Sequence, residues 1–192
     1  MTNEQATYEN LFKRLLDETN NHMPAVQTVF RDMRGMLAEG ELVFSERMSK
    51  IISDYACKVN SNFVSFHVPT FVASLAVGAR DNVHMTLETL RRVVASTEDD
   101  EVSASALYAA SSIYKRMPEV ADLDMLNKFS EVCEKQPKKK GRLRELFDLV
   151  TPSHDDRTKI KKAFVDLENS VKKALLQRHS RKENNNPPSH SL

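Results

Sequence analysis

Apolar residues recur at helix spacing along almost the whole of this chain. Tyr8, Leu11, Phe12, Leu15 and Leu16 fall at i, i+3, i+4, i+7 and i+8, so they share one side of a helix. The stripe returns about nine times, and the breaks between copies fall at prolines and capping residues. Only four glycines occur. No useful length alternates with the period of two that a half-buried strand requires. The expected fold is all-α, a multi-helix bundle of about nine helices.

Punctuation places the helices. Thr2 and Gln5 have capping-box spacing for a first helix, Asn20-Asn21 make a turn, and Pro24 suits the first turn of the second. That helix carries Val26, Val29, Phe30, Met33 and Leu37 and stops near Gly40. Ser45 can cap a third, with Met48, Ile51, Ile52, Tyr55 and Val59 on one face. Pro69 predicts a kink, or a turn between two helices, within Ser61 to Gly78. Asp81 can cap the helix that buries Val83, Leu87, Leu90 and Val94. The acidic seam Ser96 to Glu101 is a tight corner in which Thr97 and Asp100 cap the following helix.

Beyond the seam, Val102, Ala106, Ala110, Ile113 and Met117 form one stripe, ended by Pro118. Leu123, Leu126, Phe129 and Cys133 form another, ended by Pro137. A short helix carries Leu143, Leu146, Phe147 and Val150. Ser153 and Asp156 then open a last one with Ile160, Phe164, Leu167, Val171 and Leu175. This organisation predicts an N-terminal bundle over 1–95, a basic helical half over 96–179 packed on it, and a disordered tail over 180–192.

A chain of 192 residues buries roughly 70% of the surface its unfolded form exposes, so no staple is required. Cys57 and Cys133 lie 76 residues apart without a Cys-x-x-Cys partner, which predicts two buried thiols in a reducing compartment. The polar, acidic start does not resemble a signal peptide, and the longest apolar run, Phe71 to Ala79, is too short to span a bilayer. Those features predict a soluble intracellular protein, cytoplasmic or nuclear, without membrane insertion. Residues 1–100 carry 10 basic and 14 acidic side chains, residues 101–192 carry 18 and 13. Only the second half has an electrostatic reason to approach a polyanion.

The sharpest local motif is a basic loop. Lys135, Lys138, Lys139, Lys140, Arg142 and Arg144 put six positive charges into ten residues before a helix. Lys139-Lys140-Gly141-Arg142 fits the short pattern of a nuclear-import signal, the same charges suit phosphate contacts, and a solvated loop needs no partner at all. Lys159, Lys161, Lys162, Lys172, Lys173, Arg178, Arg181 and Lys182 add to the basic half, but Asp155, Asp156, Asp166 and Glu168 interrupt them as on a salt-bridged face. Phe147 and Phe164 sit on apolar stripes, which withholds them from base stacking.

Catalytic and metal constellations find no support. His154-Asp155-Asp156 resembles the His-Asp pair of all-helical metal phosphohydrolases, yet no histidine lies between His84 and His154 to complete the set. A capped helix start with both aspartates against its dipole accounts for the triplet. No Glu precedes a His by three residues, and four scattered glycines cannot cradle a phosphate. His67, between Phe66 and Phe71, reads as a core or boundary histidine. Met33, Met36, Met48, Met85, Met117 and Met125 suit core filling or an adaptable helix-binding groove. No catalytic residue, metal site or cofactor is therefore expected.

Residues 26–95 resemble one known family. Glu39-Gly40-Glu41-Leu42 forms a corner, Arg47-Met48 precedes Ile51-Ile52, Phe63 precedes Phe66-His67, and Leu90-Arg91-Arg92-Val93-Val94 closes the segment. This order is similar to the helical domain shared by the steroid receptor RNA activator protein and the C-terminus of the COPII outer-coat protein. The absence of Trp, the Pro69 region and residues 100–180 depart from it. The resemblance implies a non-catalytic bundle acting in coat assembly or transcriptional co-regulation. The expected function is thus a protein–protein interaction module, adaptor or scaffold. The alternative is a nuclear RNA- or DNA-associated factor using the basic C-terminal half.

Overall fold

A computed structural model describes residues 3–19, 22–58, 62–135 and 157–185. Among them are helices α1 (Asn3–Glu18), α2 (Met23–Glu39), α3 (Glu46–Lys58), α4 (Asn62–Ala73), α5 (Arg80–Ser96) and α6 (Asp100–Arg116). A 3₁₀ turn (Pro118–Val120), α7 (Leu123–Lys135) and α8 (Arg157–Asn185) follow, and no strand occurs among the described residues. The all-α expectation holds. The expected helix over Leu143–Val150 and the Thr2 and Ser153–Asp156 caps lie outside the described residues.

Several helix ends follow local chemistry. Pro24 occupies the first turn of α2, and Gly40 ends it at φ 77°, its N–H donating to the Met36 carbonyl. The Ser45 hydroxyl accepts from Met48 N at 3.2 Å and opens α3. Two expected caps are corrected. Asp99, not Thr97, caps α6, its carboxylate accepting from Glu101 N at 2.7 Å and Val102 N at 3.2 Å. Ala79 occupies the N-cap of α5 with no side-chain bond, leaving Asp81 in the first turn, where its charge complements the dipole.

Pro69 neither breaks α4 nor divides it: one helix runs through it. The missing donor and ring clash cost about 3 kcal/mol. Val64, Val68 and Val72, at i, i+4 and i+8, are all buried and each contributes roughly 1.5–3 kcal/mol, so burial wins. Similarly α8 continues to Asn185, beyond the tail boundary expected at Ser180, as Arg181, Lys182 and Glu183 are competent helix formers. Residues 186–192 lie outside the described residues.

α1 shows a rotated face. Its buried positions are Gln5, Glu9, Phe12 and Leu16, while Leu11 is exposed. Gln5, expected in a capping box, instead grips the segment before α3 like a strand partner. Its Nε2 donates to Val43 O at 2.8 Å and its Oε1 accepts from Val43 N at 3.2 Å. Fully buried Glu9 accepts from Gln5 Nε2 at 3.1 Å and from the Ser45 hydroxyl, with Arg47 Nη1 3.5 Å from its second oxygen. These partners offset part of the desolvation of a buried carboxylate, whose second oxygen has that ion pair and no hydrogen bond among the described residues.

The centre is α6. Eleven of its residues are buried, more than one stripe would hold, and the face carrying Glu101, Tyr108, Lys115 and Arg116 stays open. Many are Ala or Ser, whose small volume lets α4, α5 and α8 approach closely. α6 and α8 run in the same direction, joined by Lys159–Glu101 (2.6 Å), Ser111–Asp166 (2.5 Å) and Arg178 donating to Ala121 O (2.8 Å). Buried side chains from α1 to α8 form one contiguous cluster, so the core crosses the acidic seam. Leu126 and Phe129 anchor α7 in it, whereas Leu123, at the edge of that face, is exposed.

Candidate interaction surfaces

One largely apolar concavity lies between α4 and α6. The two helices are parallel here: the Ser105 hydroxyl donates to Phe66 O at 2.7 Å, and Arg116 Nη2 donates to Ala73 O at 3.2 Å. Ala73, Ser105, Ala109 and Ser112 leave a floor without bulk, which opens a groove of about 400 Å³. Phe66 and Tyr108 flank it, 46% and 43% exposed. His67 packs edge-on to the Phe66 ring with centroids 5.3 Å apart and is half-buried, a boundary histidine. Arg116 closes one end with a cation held by backbone carbonyls.

A second concavity, about 450 Å³, is charged and lies between α3, α5 and α7. Glu88 is clamped there by two guanidiniums. Arg91 reaches both carboxylate oxygens at 2.8 and 2.6 Å, and Arg92 reaches one at 3.2 Å while binding Glu46 of α3 at 2.6 Å. Burial pushes the Glu88 carboxyl up, but hydrogen bonds and charge from Arg91 and Arg92 outweigh it and hold the group below its ordinary range. A doubly clamped carboxylate that stays ionised at neutral pH is a poor general acid or base. The cluster ties α3 to α5.

Other polar groups are equally occupied. The Ser111 hydroxyl donates to Asp166 at 2.5 Å and lies 2.8 Å from Ser170 Oγ, and Lys115 binds Asp166 at 2.9 Å. Ser111 thus meets a carboxylate, with no imidazole in the cluster to accept its proton. Cys57 and Cys133 are free thiols, half-buried rather than buried. Burial, with Asp54 beside Cys57 and Glu134 beside Cys133, pushes each up to about 11, so both are protonated and sluggish nucleophiles at neutral pH. No three metal-ligating side chains converge among the described residues.

Of the basic loop, only Lys135 is described, on the last turn of α7 with Glu131 at 3.5 Å. Lys138, Lys139, Lys140, Arg142 and Arg144 lie outside the described residues, as does His154-Asp155-Asp156. The methionines are core material: Met33, Met48 and Met125 are buried, and Met36, Met85 and Met117 pack against the core, so they do not line the groove. The groove itself was not visible in the sequence. Phe66, expected on the apolar face with Phe63, His67 and Phe71, is exposed instead, and the groove's linear trace is Tyr108, a bulky residue off the α6 stripe, among runs of Ala and Ser.

Asp166 also departs from expectation. It faces α6 through Ser111 and Lys115 and does not interrupt the outer lysines of α8. Glu168 does remain beside them, 2.7 Å from Lys172. No helix is long and apolar enough to cross a membrane among the described residues. No family model, curated protein or solved structure matches the chain.

Proposed function

We propose that this chain is a non-catalytic helical interaction module that holds a partner protein by seating an amphipathic helix in the α4–α6 groove. The observation that carries the reading is the pair of exposed aromatics, Phe66 and Tyr108, over a floor of small side chains. Two aromatic rings left partly open to water on either side of a ready-made concavity favour an occupant that covers them. Apolar side chains at i and i+3 or i+4 of the partner fit between the two rings. An acidic side chain one turn further meets Arg116. The resemblance of residues 26–95 to a coat-assembly and co-regulator domain agrees with such a role.

The test compares what the tagged full chain and its F66S/Y108S variant retain from cell extract. Both substitutions are at exposed positions, so circular dichroism should be unchanged. A protein retained by the wild type, released by F66S/Y108S and recovered with Y108F supports the reading. Identical retention by both refutes it.

A further inference from the structure

Helix α8 carries an internal repeat. Ile160-Lys161-Lys162-Ala163-Phe164-Val165 is followed eleven residues later by Val171-Lys172-Lys173-Ala174-Leu175-Leu176. Eleven residues make about three turns with only about 20° of drift, so both copies present the same face, about 16 Å apart. The structure shows which positions point where. Ile160, Ala163, Val171 and Ala174 are buried with α6 as the main neighbour, while Lys161, Lys162, Lys172 and Lys173 are exposed. The sixth position of each copy is apolar and also exposed, Val165 at 44% and Leu176 at 68%.

At about 100° per residue, Val165 and Leu176 lie within about 20° of one line, opposite the buried side. Lys161 and Lys172 flank that line on one side, Lys162 and Lys173 on the other. Among these four, the ion pair seen among the described residues is Lys172 with Glu168, so the face keeps a net positive charge. An apolar crest between two rows of lysines, on a helix already fixed to a folded body, matches a charged interface with oil beneath it. Lysine stems can cover such a crest while their ammonium groups reach outward.

We propose that this outer face of α8 docks the protein on an anionic lipid bilayer, as a peripheral contact without insertion of a helix across it. Clustered lysines on an amphipathic helix are attracted by anionic headgroups, and the attraction decays within a Debye length. Val165 and Leu176 then enter the headgroup boundary and add a part that salt does not screen. A nucleic-acid duplex fits less well, because the crest offers it two aliphatic side chains where base edges call for hydrogen-bonding groups. This contact is independent of the α4–α6 groove.

The experiment is flotation of the full chain with vesicles of phosphatidylcholine containing 30% phosphatidylserine, against pure phosphatidylcholine. Binding to the anionic vesicles alone is expected. K161Q/K162Q/K172Q/K173Q should weaken it by about a thousandfold. V165S/L176S should weaken it by about tenfold and leave a remainder that high salt removes entirely. K13Q/R14Q on the exposed face of α1 and F66S/Y108S in the groove should bind as the wild type does. Four results would each overturn the proposal. They are no binding to anionic vesicles, equal binding to neutral ones, binding lost on K138Q/K139Q/K140Q but kept in the α8 variants, and tighter binding to random duplex DNA that ignores V165S/L176S.

Discussion

Replacing Gly78 with Ala tests the packing of the α4–α5 turn against the end of α2. Gly78 has φ +69°, and a Cβ there would stand 2.9 Å from the Leu37 carbonyl oxygen. Two costs add. The left-handed conformation disfavours Ala by about 1–2 kcal/mol. The clash is with main chain, which cannot swing aside, so relieving it shifts α2 or the turn at about 1–3 kcal/mol. Lower entropy of the unfolded chain returns about 0.4–1 kcal/mol. The net loss is about 1–4.5 kcal/mol, up to a large part of an ordinary domain's stability. Gly40 is the internal control: its φ is +77°, but a Cβ would meet nothing within 4 Å. Gly40→Ala should therefore lose about 1 kcal/mol or less. Urea unfolding followed by circular dichroism at a slope of about 2 kcal/mol/M separates the two by at least about 0.5 M in midpoint. Equal midpoints for G40A and G78A would refute the close approach of Gly78 to Leu37.

Further predictions concern titration and buried polar groups. Because the folded thiols titrate near 11, above their ordinary value, the folded state keeps protons the unfolded chain releases. Stability should be full below about pH 9 and fall as pH rises toward 11, and C57A/C133A should flatten the fall in thermal midpoint; an unchanged slope contradicts this. Glu88 behaves oppositely, since its lowered value means stability present above the ordinary carboxylate range and lost as pH falls through the folded value. E88Q should remove part of the acid-side loss in a denaturation series and leave Arg91 and Arg92 repelling each other; an acid limb identical to the wild type would contradict the clamp. Ser111→Ala removes the hydroxyl that links Asp166 and Ser170, and should cost about 1 kcal/mol in urea unfolding. The buried Tyr114 hydroxyl has no hydrogen-bond partner among the described residues, so Tyr114→Phe should be neutral or stabilising by about 1 kcal/mol; a clear loss would reveal a partner.

Helix period, proline positions and the stripes of α2 and α5 were readable along the chain, because local geometry and one-sided burial leave their signature within ten residues. Val26, Val29, Phe30, Met33 and Leu37 are all buried, as are Val83, Leu87, Leu90 and Val94. What the linear order could not decide is which side a helix turns when polar groups find distant partners. Gln5 and Glu9 face inward only because Val43, Ser45 and Arg47 are waiting there. α6 is buried over most of its circumference because it is central, not because its Ala- and Ser-rich sequence demands it. Asp166 leaves the lysine face for α6, and the groove exists only where α4 and α6 lie side by side. Spacing thus determined the kind of element and most apolar faces. The rotation of α1, the central place of α6 and the two candidate surfaces came from contacts between residues far apart in the chain, which periodicity does not encode.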